Sequence, residues 1–433
     1  MSNNRTEFRA FIVLVTVGLV AAVTAYALKT NETQVEKQHP PLKSTAKTVS
    51  SKTTGWPLLW GPPNPDCSQK KSQFSFSPIK VKDITLIQPM GELAEGHVVP
   101  GEHIGINYAP NPKTNGVTVV APADGYIATI ERHQYIPEGG FSTKLRNYHV
   151  YLVHDCNLFT GFVHVTNLSK ELLAANPELQ ALDSGTVDSR GKNIWPQIPV
   201  KAGQTIGTAN GFGLLGMVTV DLTKTINGYA NPANYEAESW RMHAVSPLAY
   251  FPSSIKNQLL AKNTRRAEPV GGKFDFDIEG KLIGSWFEPG SGGVSGNGAG
   301  LKRCGNFPCP AQDGQIAFVY DYIDPAQLRI SIGHNWGLSG RTPYGVSGNA
   351  PDFKDIGKNN GLLRYELAPL RNENKSHGVL GEHAVFTETD DQTVFGTLLV
   401  QVMSERQIKA EVFPNQRAYQ VRGFTANARP YER

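Results

Sequence analysis

Histidine and cysteine are the residues of this chain whose chemistry depends most on where the fold puts them. His97 and His103 stand six apart in Gly96-His-Val-Val-Pro-Gly-Glu-His103. Imidazoles bind divalent transition metals, but only where three or four ligands converge. His149 and His154 fall on one expected strand at odd spacing, so they point to opposite faces and cannot join one site. The four cysteines are an even number, as expected in an oxidising compartment. Cys304 and Cys309 lie in Cys-Gly-Asn-Phe-Pro-Cys, a tight loop that a disulfide can close. Cys67 and Cys156 then pair by elimination. A metal knuckle is the competing use of Cys304 and Cys309, but no second Cys or His pair lies at suitable spacing. The Gly-rich stretch from Gly290 to Gly300 lacks the Gly-Lys-Ser/Thr ending of a phosphate loop. It also lacks Gly-x-Ser-x-Gly, so it is not read as a hydrolase elbow.

The elements that must position these residues follow from composition. Arg5 and Arg9 precede an uncharged apolar run at residues 10–28, close to the ~20 residues that span a bilayer. The run ends in Ala25-Tyr26-Ala27, an A-x-A-like cleavage pattern. It is expected to be a hydrophobic helix, either a signal peptide or a membrane anchor, and its length favours the anchor. Everything after it is then extracytoplasmic, periplasmic or at the cell surface. Residues 29–56 are polar and read as a disordered linker. Two globular regions follow, 57–255 and 273–433, joined by a polar linker at 256–272. In the first, residues 117–130 read as strand, Asp-Gly turn and strand. Residues 148–153 and 161–165 are expected to pair, and 200–207 read as a turn and a short strand. Ser169 is an expected N-cap for a helix ending before Pro177. In the second region, strands are expected at 282–287, 316–322, 328–333, 362–367, 397–403 and 407–413 from apolar/polar alternation. The fold class is therefore mainly β, with a C-terminal antiparallel barrel or sandwich.

Five stretches of the first region, in order, resemble the lysostaphin-type zinc endopeptidases and their relatives with the duplicated hybrid motif. His103-Ile-Gly-Ile-Asn107 is similar to the family's H-x-G-x-D, and Val120-Ala-Pro-Ala-Asp-Gly125 to its A-x-x-D-G turn. Phe162-Val-His164 is similar to its Y-x-H. Val200-Lys-Ala-Gly-Gln-Thr-Ile-Gly207 resembles the segment leading to its H-x-H, and Val245-Ser-Pro-Leu-Ala-Tyr250 its closing proline segment. The resemblance covers most of residues 85–252 and implies a barrel-sandwich hybrid. It also implies zinc held by the first His, the Asp and the last His, and here that pattern fails. The Asp position is Asn107, the H-x-H positions fall on Met217 and Thr219, and no histidine occurs between His164 and His243. Amide, thioether and hydroxyl are poor zinc ligands, so the family's zinc site is read as lost.

By the resemblance, His103 and His164 face one cleft, with His97 near by and Asp221 two residues past the lost last ligand. His97, His103, Asn107, His164 and Asp221 are the candidate ligand pocket, with zinc on His97, His103 and His164 as the alternative. The plainer reading is preferred: His97 as a loop residue, and His103 and His164 bonded to each other or to backbone. In the second region, Gly284-Ser-Trp286 resembles the opening strand of lipocalin-type barrels, with Trp286 expected as a core plug.

The net charge of +4 sits entirely in residues 1–56, which hold seven Lys/Arg and three Glu, leaving 35 of each sign beyond. A balanced globular part has no nucleic-acid footprint. The resulting expectation is a non-catalytic cell-envelope binding or scaffold protein, or a regulator of envelope hydrolases, on a degenerate endopeptidase fold with no cofactor. Its partners would be envelope material or another envelope protein, with the membrane reached through residues 10–28. The alternatives are a metal-dependent hydrolase with a shifted histidine site, and a carrier of an apolar ligand in the C-terminal barrel.

Overall fold

Strand is the main regular structure among the described residues, and the fold is mainly β. The computed structural model describes residues 58–61, 64, 67–94, 97–109, 116–134, 146–185, 192–295, 312–334, 336–338, 342–371 and 388–433. The apolar run 10–28, the stretch 29–56 and the Cys304/Cys309 loop lie outside the described residues. Among the described residues, no helix is long and apolar enough to cross a membrane.

The first region holds strands β1 (Ile84–Gln88), β2 (Ile104–Tyr108), β3 (Val117–Val120), β4 (Gly125–Gln134), β5 (Arg146–Val153), β6 (Leu158–Val165), β7 (Asn167–Leu168), β8 (Lys192–Ile194), β9 (Ile198–Val200), β10 (Thr205–Ala209) and β11 (Leu214–Asp221). An eight-stranded sheet runs β1-β2-β11-β6-β5-β4-β8, with β9 also on β4. A three-stranded sheet runs β3-β10-β7. The expected hairpin at 117–130 is therefore not a hairpin. Both strands form, but β3 pairs with β10 and β4 with β5. The Asp-Gly turn carries the chain from one sheet to the other. Gly125 is needed there because a Cβ would lie 2.2 Å from the Val153 carbonyl oxygen. The expected pairing of 148–153 with 161–165 is present as β5 against β6.

Ser169 caps helix α1 (Lys170–Ala175) by accepting from the Leu172 N–H. Pro177 ends that helix and starts the next, α2 (Pro177–Ser184), where its missing N–H costs nothing. Cys67 and Cys156 form the expected disulfide, with Cα atoms 5.1 Å apart. It ties the chain ahead of β1 to the β5–β6 turn.

Strands β12 (Gly284–Phe287), β13 (Gln315–Tyr320), β14 (Leu328–Ile332), β15 (Tyr344–Val346) and β16 (Leu363–Ala368) begin the second region. A side ribbon of β17 (Leu370–Arg371) and β18 (Glu388–Thr389) precedes β19 (Gly396–Ser404), β20 (Gln407–Pro414) and β21 (Arg429–Glu432). Without the ribbon, eight strands close an antiparallel barrel, β21 pairing back onto β12. All six strands expected here are present; β15 and β21, too short to show a pattern, complete the closure. The buried residues Ile316, Phe318, Ile330, Ile332, Tyr365, Leu367, Leu398, Val400, Ile408 and Ala410 alternate along their strands. They fill the interior with Trp286, which is fully buried, as side chains can in an eight-stranded barrel. The Arg433 guanidinium lies 3.9 Å over the Trp286 ring and donates to the Ile283 carbonyl.

Residues 256–272 carry most of helix α3 (Ser253–Lys262) and then the buried Arg265, which donates to the carbonyls of Ala267, Glu268 and Tyr322. Leu93 packs into the barrel core, whereas Phe274, Phe287 and Val294 pack into the core of the first region. The chain from Thr53 to Arg433 is one compact unit.

Two outcomes follow. Closing a loop of 89 residues restricts the unfolded chain, so Cys67→Ser with Cys156→Ser lowers unfolding stability by about 2–4 kcal/mol in a denaturant titration. His154 is buried between the Asp124 carbonyl and the Thr160 hydroxyl. Burial outweighs those bonds and pulls its pKa down to about 4. The folded state thus favours neutral His154, so its contribution is whole above about pH 6.5 and is lost as pH falls through the folded value. Between pH 7 and pH 4, His154→Gln should lose less stability than the parent by on the order of 2–3 kcal/mol; equal losses would contradict this.

Candidate functional site

The large sheet has two faces of different character. On one, Met217 and Thr219 of β11 are fully buried in the core. The other face carries the histidines. Gly216 and Val218 point to it: a Cβ on Gly216 would sit 2.3 Å from Val163 and 3.2 Å from the His103 ring, and Val218 lies beside Tyr151 at Gly161. Half of this second face is covered by aromatic rings. Trp60 donates from Nε1 to the Thr160 carbonyl and packs on Tyr151, Phe159 and Trp240. The other half is lined by His97, His103, His133, His149 and His164.

His103 stands immediately before β2, beside its buried neighbour Glu102. The His103 and His97 rings are 5.0 Å apart. Burial alone would lower the pKa of His103, but the hydrogen bond and charge of Glu102, with Glu92 behind, raise it above the usual imidazole value. Burial takes His97 the other way, down to about 4, with the His103 charge adding to the effect. Glu102 is held by Arg241 at 2.7 Å, the two side chains 9% and 8% exposed. Arg241 also pairs with Glu238 in the 3₁₀ segment Pro232–His243. Burial opposes ionisation of Glu102, yet Arg241 and His103 hold its pKa far below the usual carboxylate range.

His164 reaches this face through a bulge. Val150 pairs with Phe162 and Tyr148 with Val165, so Val163 and His164 together oppose His149. An extra residue in one strand re-aims a side chain, and His164 takes φ 71°, uncommon for a residue other than glycine. Its ring stacks on Phe212 at 4.5 Å and stands 6.5 Å from His149. Its Nδ1 is buried without a hydrogen-bond partner. Burial, reinforced by the charges of His149, His103, His97 and His133, pushes its pKa down to about 3.

Asn107 and Asp221 do not join the histidines. Asn107 shares the face of His103, but its amide donates to Gln88 Oε1 at 3.2 Å. Gln88 in turn meets the Tyr322 hydroxyl, from the turn after β13, at 3.5 Å. Asp221 sits at the far end of β11, accepting from the Thr223 and Tyr250 hydroxyls at 2.6 Å. His154 lies on the core face, away from His149 as its odd spacing requires.

Three acid or imidazole groups that the sequence did not single out together lie on β4 and β5. Glu131 pairs across the strands with His149, and His133 is two residues on, on the same face. Glu131 Oε2 is 3.3 Å from His133 Nε2 and 3.6 Å from His149 Nδ1. The Tyr151 hydroxyl is 3.4 Å from both Glu131 Oε2 and His149 Nδ1. Burial opposes ionisation of Glu131, but the hydrogen bonds of His133 and His149 bring its pKa down to about 2. Burial lowers the pKa of His149 despite Glu131. Among the described residues, this is the group of three whose ligand atoms all fall within 4.8 Å of one another; His97, His103 and His164 do not converge in that way. The signal was the Glu-x-His alternation at 131–133, just past the strand expected to end at residue 130.

In comparisons with known proteins, the chain matches no family model and no curated protein.

The Glu102–Arg241 pair yields a test of how this face is held. Removing one member of a buried pair strands the other charge, so Arg241→Leu should cost about 3–5 kcal/mol in denaturant unfolding. Adding Glu102→Gln should restore part of that loss. A cost below about 1 kcal/mol, as for a solvated pair, would show that the ion pair does not anchor the segment.

Proposed function

We propose that this protein is a non-catalytic binding or scaffold protein of the cell envelope, exported and tethered through residues 10–28, with its first region a degenerate lysostaphin-type barrel-sandwich hybrid. The observation that carries this reading is the ligand poverty of β11. Gly216 faces His103 and Val218 lies further along the same face beside Tyr151, whereas the spacing-matched Met217 and Thr219 face the core. An imidazole at 216 would occupy the space that His103 and Val163 already fill. Asn107, at the position of the family's Asp, is neutral and committed to Gln88. A hydrolytic zinc needs about three protein ligands and an open position for the water it acidifies, and these positions offer one.

The resemblance draws support from strand order. Adjacent strands β2, β11 and β6 carry the three stretches similar to the family's ligand segments. The half-open histidine face suits a polar ligand, with rings for stacking and imidazoles for hydrogen bonds. The Cys67–Cys156 bridge fits an oxidising compartment. The carrier alternative is disfavoured by the barrel interior, which its own Trp286, Phe318 and Tyr365 occupy.

The experiment is a peptidoglycan endopeptidase assay of the full chain with added zinc, alongside cosedimentation with envelope material. No zinc-dependent cleavage and retained cosedimentation are expected. Cleavage that disappears in His103→Ala would overturn the reading.

A further inference from the structure

We propose that Glu131, His133 and His149 form a zinc-class metal site with an open coordination position, displaced across the sheet from the position of the family's zinc. The argument is geometric. Ligand atoms about 2.0–2.1 Å from a tetrahedral zinc lie roughly 3.3 Å from one another. Here the carboxylate oxygen is 3.3 Å from one imidazole nitrogen and 3.6 Å from the other. All three ligand atoms fall within 4.8 Å, so small side-chain rotations close the site around an ion.

The backbone supports this arrangement. Glu131 and His149 are cross-strand partners, and Glu131 and His133 are two apart on one strand. The ligands therefore sit on rigid paired strands rather than on a loop, which holds a metal site to its geometry. Their side chains are 18%, 32% and 23% exposed for Glu131, His133 and His149, leaving a route for an ion and for a water on it. The Tyr151 hydroxyl, 3.4 Å from Glu131 Oε2 and from His149 Nδ1, is placed to hydrogen-bond a ligand and fix its orientation. Two imidazoles and one carboxylate suit zinc and its borderline neighbours, whereas calcium and magnesium prefer all-oxygen sets.

The assignment rests on side-chain geometry alone, so it stands or falls independently of the non-catalytic reading. The full chain, stripped with chelator and dialysed, is titrated with Zn²⁺ by calorimetry and with Co²⁺ by visible absorption. One equivalent of each is expected, with the intense bands of tetrahedral cobalt and a Zn²⁺-dependent rise in melting temperature. Removing a partner that only orients a ligand costs 10–100-fold in affinity, so Tyr151→Phe should weaken zinc binding about 10-fold, and His133→Ala or His149→Ala at least ~100-fold. Circular dichroism of the variants without metal checks that they are folded, and the parent cobalt spectrum needs no variant at all. An absence of stoichiometric binding, or an octahedral cobalt spectrum, would overturn the proposal. So would binding that survives in His133→Ala but is lost in His103→Ala, which would move the metal to β2.

Discussion

A carboxylate and a guanidinium, both nearly removed from water, hold the histidine face in its half-open form. Glu102 immediately precedes His103 at the entry to β2, and Arg241 lies in the 3₁₀ segment Pro232–His243. Their attraction ties that segment down at one edge, and Trp240 next to Arg241 carries it onto Trp60. Neither charge has a cheap alternative, because each would be stranded in a poorly solvated site without the other. The same carboxylate raises His103 while burial lowers His97. One ion pair therefore anchors the covering segment, and its carboxylate separates the pKa of His103 from that of its burial-lowered neighbour His97.

The second constraint is backbone geometry. A strand alternates its side chains strictly, so β6 could present either Val163 or His164 to the open face. The bulge opposite His149 lets it present both, at the cost of a left-handed residue that is not glycine. Strained backbone of this kind persists where the surroundings over-determine it. Here Phe212 stacks on the ring and the paired strands hold the main chain.

Covering and opening are divided between the two halves of the molecule. Tyr322, in the turn after β13, reaches Gln88 and through it Asn107. Asn107 is thus engaged from the second region, while the β4–β5 end keeps partly exposed polar groups.

Most of the strands, the Ser169 cap and the separation of His149 from His154 were legible in the sequence, and Cys67–Cys156 was reached by elimination from the assumed Cys304–Cys309 bridge. Each follows from local spacing, capping chemistry or cysteine count. The sequence also showed that no histidine stands between His164 and His243, so β11 offers no imidazole ligand. What it could not show was which strands lie side by side. The 117–130 segment reads as a hairpin because both strands and the turn are locally correct, yet the two strands enter different sheets. Nor could spacing show that Met217 and Thr219 turn to the core while Gly216 and Val218 take the histidine face, because pairing with β2 and β6 sets that alternation. Glu131 and His149 are eighteen residues apart in the chain and became neighbours only through the β4–β5 register. Cross-strand register is a property of the assembled sheet, so ligand convergence that depends on it is decided by tertiary structure alone.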